Sequence, residues 1–241
     1  MAFDCLVFCD ELESLQVLCK ALDEAEINRD ICTDPAEANQ LLNGRKYEAV
    51  VVDYDGIDAE GQFLRSVRQA GSNRTASVFA LIAAQSRATA AFRKGANFAL
   101  LKPLSPDVVA RSLRAAHGLM LQERRRWFRH PVDMVVEMKP NRGASVHCAS
   151  RNLSEGGMGL RLVKGAASGH EYEIRFRIPA DQEWIEGKCE VKWVDKSGNA
   201  GVKFLDIPAT DHKRLKSWLH HHFEKMPPSL IINSVKQAKR A

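Results

Sequence analysis

The chain has 241 residues, which is more than one ordinary domain needs and therefore predicts two domains. Its 45% hydrophobic and 27% charged residues exclude wholesale disorder, and no apolar run approaches the roughly 20 residues of a membrane span. The net charge of +5 divides into 13 basic and 16 acidic residues over 1–118, and 22 and 14 over 119–241, so the basic second half predicts an anionic partner.

The first half alternates short apolar runs with helical patterns. The apolar runs lie at residues 6–8, 49–52, 78–83 and 99–101. The helical patterns between them lie at residues 12–22, 36–42, 60–67 and 88–94. Uninterrupted apolar strands separated by helices are typical of a parallel sheet that is covered on both faces.

Functional residues of such sheets collect at the carboxyl ends of the strands, where Asp10, Asp53 and Lys102 all lie. Asp53 suits a phosphoryl acceptor, Asp10 suits a magnesium ligand, and Lys102 suits neutralisation of a phosphoryl group. The alternative is that these polar residues only solvate the edge of the sheet.

The second half begins with a helix and continues with short strands. Serine, proline and aspartate at 105–107 predict the start of a helix that runs into an arginine-rich segment at 123–129. Alternating residues at 132–137 and 171–178, with further β-rich runs at 184–194 and 201–204, predict a small antiparallel barrel. A last helix is predicted over residues 209–225.

Two polar motifs of the second half have open interpretations. Arg124, Arg125 and Arg129 surround two aromatic residues, and a guanidinium fork can bind a phosphate, read the edge of a guanine or stack on a purine. A solvated charged face or a general nucleic-acid patch is the alternative. Asn152 and Ser154 face the same side of an extended segment, where a tight turn is the alternative interpretation.

Residues 1–118 resemble a response-regulator receiver domain of two-component systems. The resemblance rests on the segments LVFCDE at 6–11, YEAVVVD at 47–53 and GANFALLKPL at 95–104. It implies that Asp53 is the phosphorylated aspartate and that Lys102 is the invariant lysine, with Asp10 as what remains of the acidic pair. Cys9 replaces one carboxylate of that pair, and residues 80–83 offer no switch hydroxyl. We therefore predict a degenerate receiver that serves as an interaction or dimerisation platform and needs magnesium only if it is still active.

The arginine and asparagine–serine motifs together resemble the PilZ domain over residues 122–225. The carriers are RxxxR at 125–129, preceded by Arg124, and NxSxxG at 152–157. This family binds the bacterial second messenger cyclic di-GMP.

The resemblance to PilZ implies a role for each motif residue. Arg124, Arg125 and Arg129 would clamp phosphates and guanine edges of the ligand. Asn152 and Ser154 would form hydrogen bonds with it. Gly157 would keep the binding surface open, and Arg151 would add its charge.

The predicted fold class is α/β followed by all-β. We expect a doubly wound, receiver-like parallel sheet at 1–118 and a helical junction with the arginine motif at 119–129. A six-stranded PilZ barrel with a C-terminal helix would follow at 130–226, and a loosely ordered tail at 227–241.

The predicted function is a non-enzymatic, cytoplasmic cyclic di-GMP effector that relays binding to the receiver-like half. No nucleophile–base pair accompanies the motifs, and the cysteines form no Cys-x-x-Cys pair, so we expect neither catalysis, nor a cofactor, nor a metal. The expected partners are cyclic di-GMP and an unidentified protein, and a homodimer is left open. A nucleic-acid partner is disfavoured, because no DNA-reading helix is identifiable. Two alternatives are a response regulator controlled through Asp53 and a PilZ-scaffold adaptor that binds no ligand.

Overall fold

The computed structural model describes residues 2–58, 60–141, 143–161 and 166–225. They form two compact units, of which the first ends at Arg124 and the second begins at Arg125. This boundary lies inside the segment 119–129 that the sequence assigns to a helical junction. The tail expected at 227–241 lies outside the described residues. None of the described helices is both long and apolar enough to cross a membrane.

The first unit is a parallel sheet with helices. Its described strands are β1 (Phe3–Phe8), β2 (Ile27–Cys32), β3 (Ala49–Asp53), β4 (Ser77–Ile82) and β5 (Phe98–Leu101). Its described helices are α1 (Leu12–Glu24), α2 (Pro35–Gly44), α3 (Gln62–Gln69), α4 (Ala88–Lys94) and α5 (Pro106–Trp127), the last of which continues past the boundary. The strand order β2-β1-β3-β4-β5 is doubly wound, which confirms the predicted fold class.

Strand β3 illustrates why both faces of this sheet are covered. All of its residues are buried, and successive side chains point to opposite faces. Val50 and Val52 pack in a core with residues of α2 and α3, whereas Val51 packs in a second core with residues of α1 and α5. A strand in this position needs apolar residues throughout, which is the pattern that predicted it.

Strand β2 was not predicted, because it lacks such a run. It lies at the edge of the described sheet and pairs with β1. Ile27 and Cys32, at its two ends, are buried, while the residues between them are partly or fully exposed. The sequence INRDIC therefore shows neither a continuous apolar run nor a strict alternation.

The second unit is an antiparallel barrel. Its described strands are β6 (His130–Pro131), β7 (Val135–Pro140), β8 (Val146–Ser154), β9 (Gly157–Arg161), β10 (Glu171–Phe176), β11 (Ile185–Val194) and β12 (Ala200–Asp206). Helix α6 (Ala209–Lys225) follows them. In the described part of this unit, the order β8-β7-β10-β11-β12-β9 closes through a β8–β9 pairing into a six-stranded barrel, with β6 beside β8. The predicted barrel and C-terminal helix are confirmed.

The barrel core follows from the alternation that predicted its strands. In β10, Tyr172, Ile174 and Phe176 are buried, while the residues between them are exposed. Leu215 and Leu219, four residues apart on α6, pack in the same core. The apolar face of α6 therefore packs against the barrel of the second unit.

Candidate functional site

The end of α5 is anchored in the second unit by one aromatic residue. Phe128 is 1% exposed, and its ring packs edge-on against Phe223 of α6 at a centroid distance of 5.1 Å. The buried ring fixes the chain between Arg125, in the last turn of α5, and Arg129, just before β6. Both arginines are only partly buried.

Strand β6 brings the arginine motif to the asparagine–serine motif. His130 pairs with Leu153 and Pro131 with Asn152, and the amide of Val132 donates to the carbonyl of residue 151 at 3.3 Å. Arg129 directly precedes β6, and Ser154 directly follows Leu153 on β8. The two motifs are 23 residues apart in sequence, and this short ladder makes them neighbours.

The NxSxxG motif forms the turn between β8 and β9. Ser154 pairs with Gly157, and its Oγ donates to the Gly157 carbonyl at 2.8 Å. The amide of Gly159 donates to Oδ1 of Asn152 at 3.1 Å. Each polar side chain of the motif thus has a partner in its own hairpin, as the tight-turn interpretation expects.

Gly157 is required by the barrel itself. A Cβ at this position would lie 2.1 Å from the carbonyl oxygen of Val202 on β12, the strand that pairs with β9. Backbone on the neighbouring strand cannot move aside cheaply at that distance. The glycine therefore has a reason to be there that does not depend on a ligand.

The two arginines of RxxxR differ in surroundings. The guanidinium of Arg125 lies over the ring of Phe223, with 5.8 Å from Cζ to the ring centroid. Burial lowers the pKa of Arg129, because a charged guanidinium loses hydration there. Arg151 is exposed on β8, where its charge faces solvent. The second unit therefore offers cationic groups next to the turn.

Arg124 does not join them. It is 3% exposed, and its Nη2 donates to Oε2 of Glu48 at 2.8 Å in the first unit. Its guanidinium lies over the ring of Phe3 at 4.7 Å. The expected role of Arg124 in the clamp is therefore not available in this conformation, because a buried carboxylate already holds its charge.

A second buried ion pair reinforces this end of α5. Glu123 bonds to the ammonium of Lys46, and the Thr75 hydroxyl donates to the same carboxylate at 2.8 Å. Both ionic side chains are almost completely buried. Glu123 and Arg124 thus tie the helix to the first unit, a use of the arginine-rich segment that sequence analysis did not foresee.

The carboxyl edge of the parallel sheet brings Asp53 and Lys102 together. Asp53 is 1% exposed, and its Oδ2 accepts from Nζ of Lys102 at 2.8 Å. The amide of Gly56 donates to Oδ1 at 3.0 Å. Lys102 also reaches Oε2 of Glu11 at 3.1 Å. Asp10, by contrast, is exposed.

The charge of Lys102 is held by these carboxylates. Partial burial alone would lower its pKa, but the hydrogen bonds to Asp53 and Glu11 outweigh that effect and raise it. The ammonium therefore stays protonated as an internal counter-ion. A phosphoryl group added to Asp53 would have to compete with the Glu11 carboxylate for it.

The residues at this edge do not fit a magnesium site. Where the receiver pattern has a carboxylate, the Cys9 thiol lies 3.7 Å from Oδ2 of Asp53. Burial raises the pKa of this thiol to about 12, so it stays protonated and is a poor ligand for a hard cation. In the described ranges no cluster of three or more histidine, cysteine or acidic side chains is arranged to hold a metal ion.

Asp55 is a member of this edge that sequence analysis missed. Its Oδ2 accepts from the amide of Ala83, the first residue after β4, at 2.7 Å. Its Oδ1 accepts from Nε of Arg87 at 2.6 Å. The amide that follows β4 is therefore already bound to a carboxylate of the chain. The spacing of Asp53 and Asp55, two apart after a strand, was the available signal.

Comparisons with known proteins give one family match and several similar solved structures. Residues 123–221 match the family model of the PilZ domain. No curated protein matches the chain. MotI/DgrA, an inhibitor of motility from Bacillus subtilis, is 20% identical with a TM-score of 0.36, covering 41% of this chain and 50% of that chain. The chain thus spans half of that protein's length.

Two receiver structures are similar to the first half. The receiver domain of sensor histidine kinase PA1611 from Pseudomonas aeruginosa PAO1 is 20% identical, with a TM-score of 0.44, and covers 49% of this chain and 99% of that chain. Chemotaxis response regulator CheY4 of Vibrio cholerae is 18% identical, with a TM-score of 0.44, and the match covers 48% of this chain and 98% of that chain.

The family match and the fold point the same way. The matched residues form the closed barrel with its C-terminal helix, and the preceding sheet has the strand order found in CheY. Residues 123–221 therefore form a PilZ domain, and the sheet that precedes it has a receiver-like fold.

Proposed function

We propose that the chain is a non-enzymatic cyclic di-GMP effector whose second unit binds the ligand and whose receiver-like unit acts as the interaction domain. The single observation that supports the proposal is the β6–β8 ladder, in which Pro131 pairs with Asn152 two residues after Arg129. The ligand carries two guanines and two phosphodiester charges, so it needs cations and polar groups side by side.

The arginines of RxxxR supply the charge. A guanidinium binds a phosphate through two parallel hydrogen bonds and presents the same fork to O6 and N7 of guanine. Arg129 has lost hydration through burial, and an anionic ligand would compensate that loss. Arg125 reaches the same ligand from the last turn of α5, and Arg151 adds long-range attraction from the barrel surface.

The two polar residues of NxSxxG take different parts. Asn152 is partly buried and its Oδ1 is engaged by Gly159, so its amide N–H groups are the donors assigned to the ligand. Ser154 is only 6% exposed, and its hydroxyl donates within the turn. Its main part is to hold the turn, with a lone pair left to accept a hydrogen bond. Gly157 allows β9 to approach β12.

Arg124 is left out of this clamp because Glu48 holds it. Its neighbour Arg125 is on the same helix, so ligand binding acts on the last turn of α5 directly. The relay to the receiver-like unit then runs along α5, whose preceding turn carries Glu123 and Arg124. A ligand moves this equilibrium only by the difference in its affinity for the two arrangements of the turn.

Isothermal titration of the full chain with cyclic di-GMP tests the binding half of the proposal. Arg125→Ala and Arg129→Ala should each weaken binding by about ten- to a hundredfold, because each loses a charged hydrogen-bonding group. Arg126→Ala is the matched control, since it removes one positive charge from an exposed position of the same cluster. Equal weakening by all three substitutions would mean general charge attraction and would contradict a specific clamp.

Two further titrations separate the remaining alternatives. GTP should bind far more weakly than cyclic di-GMP, because a single guanine cannot satisfy both motifs. A folded wild-type chain that gives no heat with cyclic di-GMP would leave the PilZ-scaffold adaptor as the better description. Hydrogen exchange at residues 45–50, measured with and without ligand, tests the relay, and unchanged exchange there would contradict it.

A further inference from the structure

The arginine motif is in contact with the end of the C-terminal helix. Phe223, in the last turns of α6, is 3% exposed. Its ring meets Phe128 edge-on, at an interplanar angle of 84°, and the guanidinium of Arg125 lies over it. One side chain of α6 thus contacts two residues of the segment that carries RxxxR.

The contact restricts Arg125 in a way that aliphatic packing would not. A long arginine side chain has considerable rotamer freedom, which a binding site has to remove. The electron-rich face of an aromatic ring attracts a guanidinium and so favours the rotamers that place the guanidinium over the ring. A leucine in place of Phe223 would fill much of the same volume without offering this face.

The surroundings of Phe223 make the ring a firm support. Leu215 and Leu219 precede it at intervals of four on the face of α6 that packs against the barrel. One turn away, Trp218 meets His130 of β6 edge-on, at a centroid distance of 5.0 Å. The helix is therefore packed against the barrel and β6 along the two turns that precede Phe223.

We infer that Phe223 is a positioning residue for Arg125, so that the docked end of α6 sets the affinity for the ligand. This inference rests on the proposed binding of cyclic di-GMP. It adds a requirement that lies outside both sequence motifs, on the last helix of the domain. By linkage, ligand binding strengthens the docking of α6 as much as docking strengthens binding.

A double-mutant cycle tests the inference, with binding measured by titration with cyclic di-GMP and stability by thermal unfolding. Phe223→Leu should weaken binding by about 2- to 30-fold, the range for loss of a cation–π contact. Phe223→Tyr, which keeps a ring, should bind nearly as tightly as the wild type. On an Arg125→Ala background, Phe223→Leu should cause no further loss of affinity.

Leu219→Val is the control for stability, because it trims the same face of α6 away from Arg125. It should lower the unfolding temperature but leave the affinity nearly unchanged, because the loss of one methylene group leaves α6 docked at the temperature of the titration. Wild-type binding that survives in Phe223→Leu but falls in Arg125→Ala would overturn the inference and leave the proposed function intact. Absence of wild-type binding would overturn both. Equal losses of affinity in Phe223→Tyr and Phe223→Leu would also overturn the inference.

Discussion

The molecule has two charged regions, the sheet edge of the first unit and the surroundings of the β8–β9 turn, and the cations of the two regions have different partners. At the sheet edge of the first unit, Lys102 and Arg87 each bind carboxylates of the same unit, and those bonds raise the pKa of both cations. Beside the barrel turn, burial lowers the pKa of Arg129, and Arg125 lies over an aromatic ring. The cations of the first region are held by carboxylates of the same unit, whereas burial removes hydration from Arg129 in the second region.

The contrast is sharpest between Arg124 and Arg125, which are adjacent in sequence. We expect Arg124→Ala to lower the free energy of unfolding of the first unit by about 3–5 kcal/mol, because Glu48 would remain as a buried, unpaired charge. Arg125→Ala should leave that unit unchanged. The free energy of unfolding is measured by urea titration, with amide hydrogen exchange in β1 and β3 as the probe of the first unit.

Tryptophan fluorescence gives the matching control. All tryptophans of the chain lie beyond residue 124, at Trp127, Trp184, Trp193 and Trp218. Their unfolding transition reports on the second unit and should be unaffected by Arg124→Ala. The double variant Arg124→Met with Glu48→Gln should recover most of the loss, since it removes both charges. An unchanged first unit in Arg124→Ala would refute the assignment of this arginine to its core.

A smaller effect on stability is expected at Gly157, and a comparison with Gly156 tests whether the barrel fold requires a glycine there. Gly157→Ala should cost about 1–3 kcal/mol of stability, because its Cβ would collide with the carbonyl of Val202. Gly156→Ala, whose Cβ would meet nothing within 4 Å, should change stability by less than about 0.5 kcal/mol. Thermal unfolding followed by tryptophan fluorescence compares them. Equal stabilities would mean that Gly157 is kept for the ligand alone.

Sequence patterns predicted the elements whose burial is regular. Strand β3 is buried on both faces and β10 on one, and each burial pattern has its own period in the sequence. Strand β2 is exposed along its middle, so its residues carried no such signal. Its place beside β1 depends on backbone hydrogen bonds, which side-chain type does not reveal.

The candidate site was predictable in its residues but not in their partners. The motifs named Arg125, Arg129 and Asn152 by type and spacing. The environment of Arg124 depends on Glu48, which is 76 residues away in sequence, and no local pattern reports such a contact. The same holds for Phe223, since the prediction of a helix over 209–225 does not show what lies against each of its side chains.

A weaker, pH-dependent effect is expected at His130. Burial, and then the nearby His222, lower the pKa of its imidazole from 6.5 to about 4. Between these two values the unfolded chain binds a proton that the folded chain does not, so the second unit loses stability as the pH falls through this range. The ring is partly exposed, so solvent reduces the effect.

Unfolding temperatures measured by tryptophan fluorescence from pH 7 down to about pH 4 test this dependence. His130→Phe should flatten it, because Nδ1 of His130 is buried without a hydrogen-bond partner among the described residues and a phenyl ring needs none. His170→Ala, at an exposed position, is the control and should keep the wild-type slope. If the unfolding temperature of His130→Phe depended on pH as steeply as that of the wild type, another group would be responsible for the effect.

The smallest effect is expected for phosphorylation of Asp53, at the sheet edge of the first unit. Treatment with acetyl phosphate and magnesium should add no phosphoryl mass at Asp53, because three features oppose it. Asp53 is 1% exposed, Lys102 is shared with Glu11, and the Ala83 amide is bound to Asp55. Mass spectrometry of the intact chain and of Asp53→Asn measures the gain. A gain that Asp53→Asn abolishes would show that an incoming phosphoryl group can displace those internal bonds, and it would restore the phosphorylation-controlled alternative.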